Sequence, residues 1–568
     1  MTAGSLPELL QRRAAEQGAE PAYVFLGERG EEVASLSYGQ LHHQALAVAA
    51  ELADRCRLGD RALLLFPHCL DFVAAYFGCL YAQVVAVPVS PPRGTRVADA
   101  TRAVVADCEP AAVLTVAALR ETIHAALAQV CGGAPWIAVD RLPPAPPGLA
   151  PRPCPPDSLA FLQYTSGSTS DPKGVMVTHS NLVANQEMIK HAFGHDERST
   201  VLGWAPFFHD QGLVGTVLQP LYLGTPGILM APMTFLRRPL VWLAAIARHR
   251  AHTSGGPNFA FDACVARAAR DGVPDLDLSC WQVAYNGAEP VRPETLRAFA
   301  ATFAPCGLRA EALYPCYGLA EATLLVTGSR KGRGPRTVRA DEAELGRRRY
   351  RPTAGAGRTL AGSGLGLPGQ DLRVVDPDTG RECGVGQVGE IWVAGPHVTG
   401  GYWRRPVETA ATFAAELAGA RYLRTGDLGV LVDGELYVVG RLKDVVIIRG
   451  RNYYPHDIEN TVQAAHPAVA LAPGAAFSVP AAAGETLVVV QEVRQRTADA
   501  VDVAASIRAA VTREHGLALG DLVLTRPGRL QRTTSGKIRR ATARQRYLGG
   551  GFDIWEDAGR GRRDCTEP

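Results

Sequence analysis

The chain has 568 residues, 47% of them hydrophobic and 20% charged, which excludes wholesale disorder and, by length, a single small domain. Its 59 basic and 56 acidic residues leave a formal charge of only +3, without the clustered basic excess of a dedicated nucleic-acid binder. Only Lys173, Lys190, Lys331, Lys443 and Lys537 are lysines, and the other 54 basic residues are arginines. A nucleotide bias of the coding genome accounts for that total. Ammonium and guanidinium are nevertheless not interchangeable, so each lysine is worth locating.

Residues 1–16 contain Glu8 and no apolar signal core. Twelve cysteines are scattered along the chain without C-x-x-C pairs or zinc spacing and read as reduced thiols of a cytoplasmic protein. Residues 5–140 alternate helix-type stretches with short apolar runs: a helix is expected at 38–53 and strands at 62–66 and 111–114. The run 72–89 is near the minimum length of a membrane span. Gln83, Pro88 and the β-branched residues Val84, Val85 and Val87 predict instead a buried helix followed by a buried strand, hence no membrane span. This alternation predicts a doubly wound α/β architecture. Residues 141–156 hold eight prolines and read as an extended surface connector.

The α/β pattern resumes from 159 to about 323. Residues 324–362 break it: 328–339 and 344–351 are polar and rich in Arg and Gly, with little periodicity, as in an insertion that is functional or disordered. Strand-type runs follow at 370–376, 388–394 and 435–440. After Arg441 a smaller α/β piece continues to about Arg546, and a frayed tail is expected from Gly549.

The most informative stretch is Tyr164-Thr165-Ser166-Gly167-Ser168-Thr169-Ser170-Asp171-Pro172-Lys173-Gly174, between apolar strands at 159–162 and 175–177. Small hydroxyl residues and glycine let N–H and O–H groups converge on phosphate oxygens, and Lys173 adds a compact cation. The spacing is not that of a Walker loop, which needs Gly-Lys-Ser/Thr leading into a helix. An ordinary hydroxyl-rich hairpin is the competing reading. Four further strings accompany it in order: Tyr317-Gly318-Leu319-Ala320-Glu321, Tyr422-Leu423-Arg424-Thr425-Gly426-Asp427, Gly440-Arg441-Leu442-Lys443-Asp444 and Thr534-Ser535-Gly536-Lys537-Ile538. Together the five resemble the motifs of the adenylate-forming superfamily, which includes acyl-CoA synthetases, peptide-synthetase adenylation domains and luciferase.

The resemblance implies a fold with a large N-terminal domain (1–440) of doubly wound α/β subdomains plus a distorted β-barrel. A hinge at 441–444, a smaller mobile α+β domain at 445–546 and a tail at 547–568 would follow. It also implies a reaction in which a carboxylate attacks the α-phosphorus of ATP and pyrophosphate leaves, so that catalysis is mostly positioning and charge neutralisation. On that reading Thr165, Ser166, Gly167, Ser168, Thr169 and Lys173 hold the β- and γ-phosphates. Glu321, with Thr165, fits a Mg²⁺ donor set, although an isolated Glu321 also reads as a surface or capping residue. Asn286, Gly287 and Ala288 line the adenine pocket, followed by Tyr317 and Gly318. Tyr317 either stacks on adenine or is a core tyrosine. Asp427 accepts the ribose hydroxyls, or is a turn aspartate. Arg441 hydrogen-bonds ribose or phosphate. Lys537 bridges α-phosphate, ribose and the attacking carboxylate, and Lys443 marks the hinge.

Longer strings resemble one branch, the fatty acyl-AMP ligases: Phe207-Phe208-His209-Asp210-Gln211-Gly212-Leu213, Ser254-Gly255-Gly256-Pro257-Asn258-Phe259-Ala260 and Tyr314-Pro315-Cys316-Tyr317-Gly318-Leu319-Ala320-Glu321-Ala322-Thr323. The segment 324–362 stands where that branch carries its insertion. By this resemblance His209 gates the substrate carboxylate, unless it is a satisfied core histidine. The fatty-acid tunnel runs past Phe208, Leu213, Gly255, Gly256 and Pro257. The acyl group passes to the pantetheine thiol of a holo acyl carrier protein, a separate chain since no carrier-type sequence follows Arg546. The basic run from Arg526 to Arg546, Arg539 and Arg540 included, is either a solvated face or a docking surface for an acidic carrier. A coenzyme A ligase on the same fold and a non-catalytic nucleotide-binding scaffold are the alternatives.

Overall fold

The computed structural model describes residues 4–92, 97–165, 172–355, 357–449, 451–481, 484–494, 499–532 and 537–552. Helix Tyr38–Ala53 begins in a capping box, in which Ser37 accepts from the Gln40 N–H and Gln40 accepts from the Ser37 N–H. Helix Leu70–Ala82 is buried at every residue except Asp71, the signature of a helix enclosed by a core. Gln83 ends it in the left-handed conformation, and strand Val85–Val89 follows. Among the described residues no helix is long and apolar enough to cross a membrane. The described cysteines are free thiols.

Two sheets form the body. The first has six strands in the spatial order Trp136–Ala138, Ala112–Thr115, Arg61–Leu65, Val85–Val89, Leu159–Thr165 and Lys173–Thr178. All neighbours are parallel except the last pair. The Pro-rich connector runs along its helical layer, where the Arg152 N–H donates to the Tyr81 carbonyl (3.0 Å) and its guanidinium to the Ala82 carbonyl (3.1 Å).

The second sheet has fifteen strands. Its parallel half includes Val201–Gly203, Gly227–Met230, Thr253–Gly256, Val283–Asn286 and Leu313–Gly318. Strands Pro21–Leu26 and Glu32–Ser37 close its edge, so these early strands join the later subdomain and not their sequence neighbours. The strands expected to make a distorted barrel are the antiparallel half of the same sheet: Leu325–Gly328, Arg358–Gly366, Glu435–Arg441, Ala420–Val432, Gly389–Ala394 and Asp371–Val375. Strand Leu313–Gly318 is the changeover, parallel to one neighbour and antiparallel to the other.

The segment 324–362 is not irregular. Leu325–Gly328 is an internal strand of the large sheet, and Thr337–Ala340 pairs with Arg358–Gly366. Its low periodicity arises because the two ladders are joined by polar turns and the short helix Glu342–Leu345. That helix faces the small domain. Glu342 lies 2.8 Å from His515, the Asn452 side chain donates to the Gly346 carbonyl (3.0 Å), and Arg358 lies 2.9 Å from Asp457. Cavities of about 210 and 230 Å³ run along this seam.

The small domain packs helices Pro455–Ala465 and Ala500–His515 on the sheet Gly474–Ala481, Gly484–Glu492 and Leu519–Thr525, around Ile458, Val462, Val489, Ile507 and Val511. Arg540 is not a docking residue here. Its guanidinium grips Glu459 through two bonds (2.7 and 2.6 Å) and Asp444 through a third (2.9 Å), with the side chain 24% exposed. Arg544 and Arg546 are likewise spent on the carbonyls of Ser478 and Arg529. Arg526, Arg529 and Arg532 stay exposed, so only part of the basic segment is spent on structure, because a helix points successive side chains in different directions. Removing one partner of a buried ion pair strands the other, at a cost of about 3 kcal/mol. Arg540→Ala is therefore expected to raise hydrogen–deuterium exchange across Pro455–Ala465 while leaving the large sheet protected.

Candidate active site

The parallel strands end on one rim, the usual ligand side of such sheets. Trp204 follows Val201–Gly203. Gly255 and Gly256 end the next strand, Asn286 ends Val283–Asn286, and Tyr317 and Gly318 end Leu313–Gly318. Gly255 and Gly256 are required by close packing: a Cβ at 255 would strike the Tyr285 carbonyl, and one at 256 would lie 2.7 Å from the Trp204 ring. Trp204 in turn stacks on Phe235 with centroids 4.1 Å apart. Pro257 caps the following helix, Asn258–Asp271.

Phe208 and His209 lie on the loop after Val201–Gly203. The Gln163 side chain holds the Phe208 carbonyl (2.9 Å), and the His209 carbonyl accepts the Leu213 N–H (2.8 Å) at the start of the π-helical turn Leu213–Leu218. The His209 ring is half-buried beside Phe208. Leu213 is fully buried in the same core cluster as Tyr285. Tyr285, which the sequence did not single out, packs against Gly255 and belongs to that cluster. Burial pushes its phenol up to about 12.

Asn286 is fully buried and donates to the Asn258 side chain (3.4 Å). Gly287 lies against Cys316, and Ala288 has φ 68°. Glu289 follows, half-buried, where it accepts the Asn258 N–H (2.9 Å). Burial raises its carboxyl, opposed by Arg292 and by the ammonium of Lys537. Lys537, exposed on the small domain, therefore stands close enough to the Asn286–Glu289 segment to act on it electrostatically. Lys443 occupies the turn Leu442–Asp444 between the two domains.

Hairpin register sets the next group. Asp427 on Ala420–Val432 faces Arg441 on Glu435–Arg441, with Nε of Arg441 3.3 Å from Oδ1. The Tyr317 hydroxyl donates to Oδ2 (2.9 Å). Burial, then Asp427, drives the Tyr317 phenol well up, and Asp427 leads the charges that raise Arg441. The Tyr317 ring packs among Val326, Ile391 and Leu436. Both Asp427 oxygens already serve protein donors, each with a further lone pair to offer.

The last group is stitched across the two sheets. The first sheet's edge strand exchanges backbone bonds with residues 401–403. Met176 N–H donates to Gly401 (2.9 Å), and Trp403 N–H donates to Gly174 (2.7 Å). This sets the Lys173 ammonium 4.9 Å over the Tyr402 ring, with Thr165 beside Lys173 in the ladder. The Tyr402 hydroxyl donates to Glu321 Oε1 (2.8 Å). Ser166, Gly167, Ser168 and Thr169 lie outside the described residues. Tyr402 was not anticipated. The available signal was an aromatic pair after two glycines, Gly400-Gly401-Tyr402-Trp403. Thr165 is thus linked to Glu321 through Lys173 and Tyr402, and a carboxylate with a hydroxyl fits the donor set of Mg²⁺ bound to phosphates.

This architecture, a large α/β body with a small C-terminal domain, is that of the adenylate-forming enzymes. A profile described as AMP-binding enzyme matches residues 10–403, and one described as Disco-interacting protein 2-like, AMP domain, matches 443–556. The medium-chain-fatty-acid acyl-carrier-protein ligase JamA of Moorena producens is 45% identical, over 97% of this chain and 96% of its own. A fatty acyl-adenylate ligase of L. pneumophila, solved with acyl adenylate and pyrophosphate, is 38% identical with TM-score 0.76, covering 98% of this chain and 97% of its own. A structure from a study of fatty acyl-adenylate ligases of E. coli and L. pneumophila reaches TM-score 0.87 at 31% identity, covering 96% and 98%. The chain belongs to the AMP-binding enzyme family, with fatty acyl-AMP ligases similar to it along nearly its whole length.

Tyr402 both accepts the Lys173 cation on its face and holds Glu321. Tyr402→Phe keeps the face and is expected to weaken ATP binding only about threefold, whereas Tyr402→Ala is expected to weaken it about tenfold or more. Calorimetric titration with ATP measures both.

Proposed function

We propose that the protein activates a fatty acid with ATP, releasing pyrophosphate, and passes the acyl group from acyl-adenylate to the pantetheine thiol of a separate holo acyl carrier protein. The observation that carries this reading is the convergence of Lys173, Glu321 and the Asp427–Arg441 pair around Tyr402 and Tyr317. The cations and acceptors gathered there suit a nucleotide's phosphates and ribose, next to an apolar strand end built from Gly255, Gly256 and Trp204. JamA supports the fatty acid and the carrier as substrates.

The roles follow from charge and position. Both reactants are anions, so the protein must hold them in line and neutralise charge that builds on the phosphates. Lys173 offers a point charge to the outer phosphates. Asp427 retains lone pairs for ribose hydroxyls, while Arg441 orients it and offers N–H groups to ribose or phosphate. Asn286, Gly287 and Ala288 leave the base a tight slot, bounded by Gly318. Glu321 with Thr165 would hold Mg²⁺, which supplies positive charge at the phosphates when bound. His209 stands at the carboxylate end of the acyl path. Lys537 enters from the small domain and contacts α-phosphate and carboxylate together. After pyrophosphate leaves, the small domain swings about Lys443 in the Leu442–Asp444 turn and admits the thiol.

Fatty-acid-dependent pyrophosphate release is expected in the parent and to fall at least about 100-fold in Lys537→Ala, the usual cost of one preorganised charge-stabilising donor. Unchanged release would remove Lys537 from the mechanism. Mass spectrometry with holo-carrier or coenzyme A offered separately is expected to show acyl-carrier, and abundant acyl-CoA would replace the carrier with coenzyme A as acceptor.

A further inference from the structure

Lys331 belongs to none of the nucleotide motifs, yet its contacts are more specific than those of a surface lysine. Past strand Leu325–Gly328 it folds back onto the end of helix His179–Phe193. Its ammonium donates to the Gly194 carbonyl (2.9 Å) and to His252 Nε2 (2.8 Å). His252 Nδ1 lies 2.8 Å from the Thr253 hydroxyl, and that hydroxyl lies 2.7 Å from His195 Nε2. His195 Nδ1 lies 3.2 Å from Gln219 Nε2. The line runs from the exposed Lys331 into the core, where Thr253, His195 and Gln219 are buried.

The donors fix its protonation. An ammonium only donates, so His252 Nε2 must be bare and its proton must sit on Nδ1, given to Thr253. The Thr253 hydroxyl then has its own single proton for His195 Nε2, which leaves the His195 proton on Nδ1. That N–H needs an acceptor. The buried Gln219 Oε1, otherwise unmatched among the described residues, serves once the amide presents oxygen to His195. One lysine thus orders two histidine tautomers, a hydroxyl rotor and an amide.

We propose that Lys331 is a positioning residue whose ammonium fixes this one-way hydrogen-bond line and thereby the strand Thr253–Gly256, whose far end forms the wall for the fatty-acid chain. The proposal rests on the functional reading above for the identity of that wall. Thr253 begins the strand and pairs with Val201 and Val283. Gly255 and Gly256 end it, wedged against Tyr285 and Trp204. A close-packed strand transmits a displacement at one end to the other. Arginine does not substitute. The lysine stem lies on Gly194, where a Cβ would come within 3.0 Å of Cδ and 3.2 Å of Nζ, and a planar guanidinium does not reproduce the single point donor that meets both the Gly194 carbonyl and His252 Nε2.

The acid side of the pH profile separates this role from simple packing. Burial, aided by the Lys331 charge, lowers His252 to about 4. Burial, His252 and Lys331 lower His195 to about 3. Asp196 is the acid facing all three, and it opposes the fall in the Lys331 pKa caused by burial. The line is therefore intact above about pH 5 and is lost as acid protonates His252. Without the ammonium, His252 Nε2 is free to take a proton and loses the cation that repels it, so its pKa rises and the acid limb must move to higher pH.

The test compares parent, Lys331→Met and Lys331→Arg as full-length proteins. Lys331→Met is expected to raise KM for fatty acid about fivefold, the scale of one hydrogen bond. KM for ATP should stay at the parental value and the acid limb should shift upward, with Lys331→Arg failing to restore either. An unmoved acid limb, equal changes in both KM values or full rescue by Arg would overturn the proposal. Hydrogen–deuterium exchange of residues 253–256 reads the line without any activity: faster exchange in Lys331→Met is expected, and parental protection overturns it. A parent that releases no pyrophosphate with any fatty acid would instead refute the functional reading, and the exchange measurement would still decide the role of Lys331.

Discussion

Everything at the site depends on one backbone exchange between sheets. Strand Lys173–Thr178 ends the first sheet with an unpaired edge, and an edge strand must find hydrogen-bond partners or be covered. Residues 401–403 supply them, with Val175 facing Tyr402. This short ladder satisfies the edge and sets the cation of one sheet beside the carboxylate of the other through the Tyr402 ring and hydroxyl. A cation and an acid drawn from separate subdomains acquire fixed geometry without a long loop between them.

The Asp427 group shows the same economy in the antiparallel half. Because side chains alternate along a strand, a one-residue slip in the hairpin between Ala420–Val432 and Glu435–Arg441 would turn Arg441 away from Asp427. The core residues Leu428, Val430, Tyr437 and Val439 hold the register, so apolar packing behind the hairpin aligns charges in front of it. Tyr317, on the changeover strand, ties this pair to the parallel rim that carries Asn286 and Gly256. The seam to the small domain follows a different logic. Its ionisable groups are enclosed: burial lifts Asp457 to about 6 against the pull of Arg358 and drives His456 far down. Such a contact holds only while its partners are in place.

Much of the fold was legible from pattern. Helix Tyr38–Ala53 follows from its capping box and apolar spacing, and the strands at 61–65, 112–115, 371–375, 389–394 and 435–441 from short apolar runs. The helix-then-strand reading of 72–89 rested on Gln83, which does terminate the helix. One reading failed and another held only in part, for related reasons. Segment 324–362 looked irregular because polar turns diluted the pattern of two real strands. The basic run at 526–546 read as one surface, yet Arg540 turns inward to Glu459 and Asp444 while Arg526, Arg529 and Arg532 stay exposed, because linear charge says nothing about which arginine finds an acid.

The sequence by itself determined the family, the motif order and the list of charged residues, because these depend on residue type and spacing along the chain. It also marked the five lysines as unusual in an arginine-rich protein. Only the tertiary structure decided which of them act together and on what. Tyr402 and Tyr285 carry no charge to attract notice, and their roles arise where strands distant in sequence meet. Lys331 acquires its partners from residues 194 and 252, brought together by the large sheet. Spacing along a chain records local periodicity, whereas the contacts that join Lys331, His252, Thr253 and His195 in one line come from neighbours that only folding supplies.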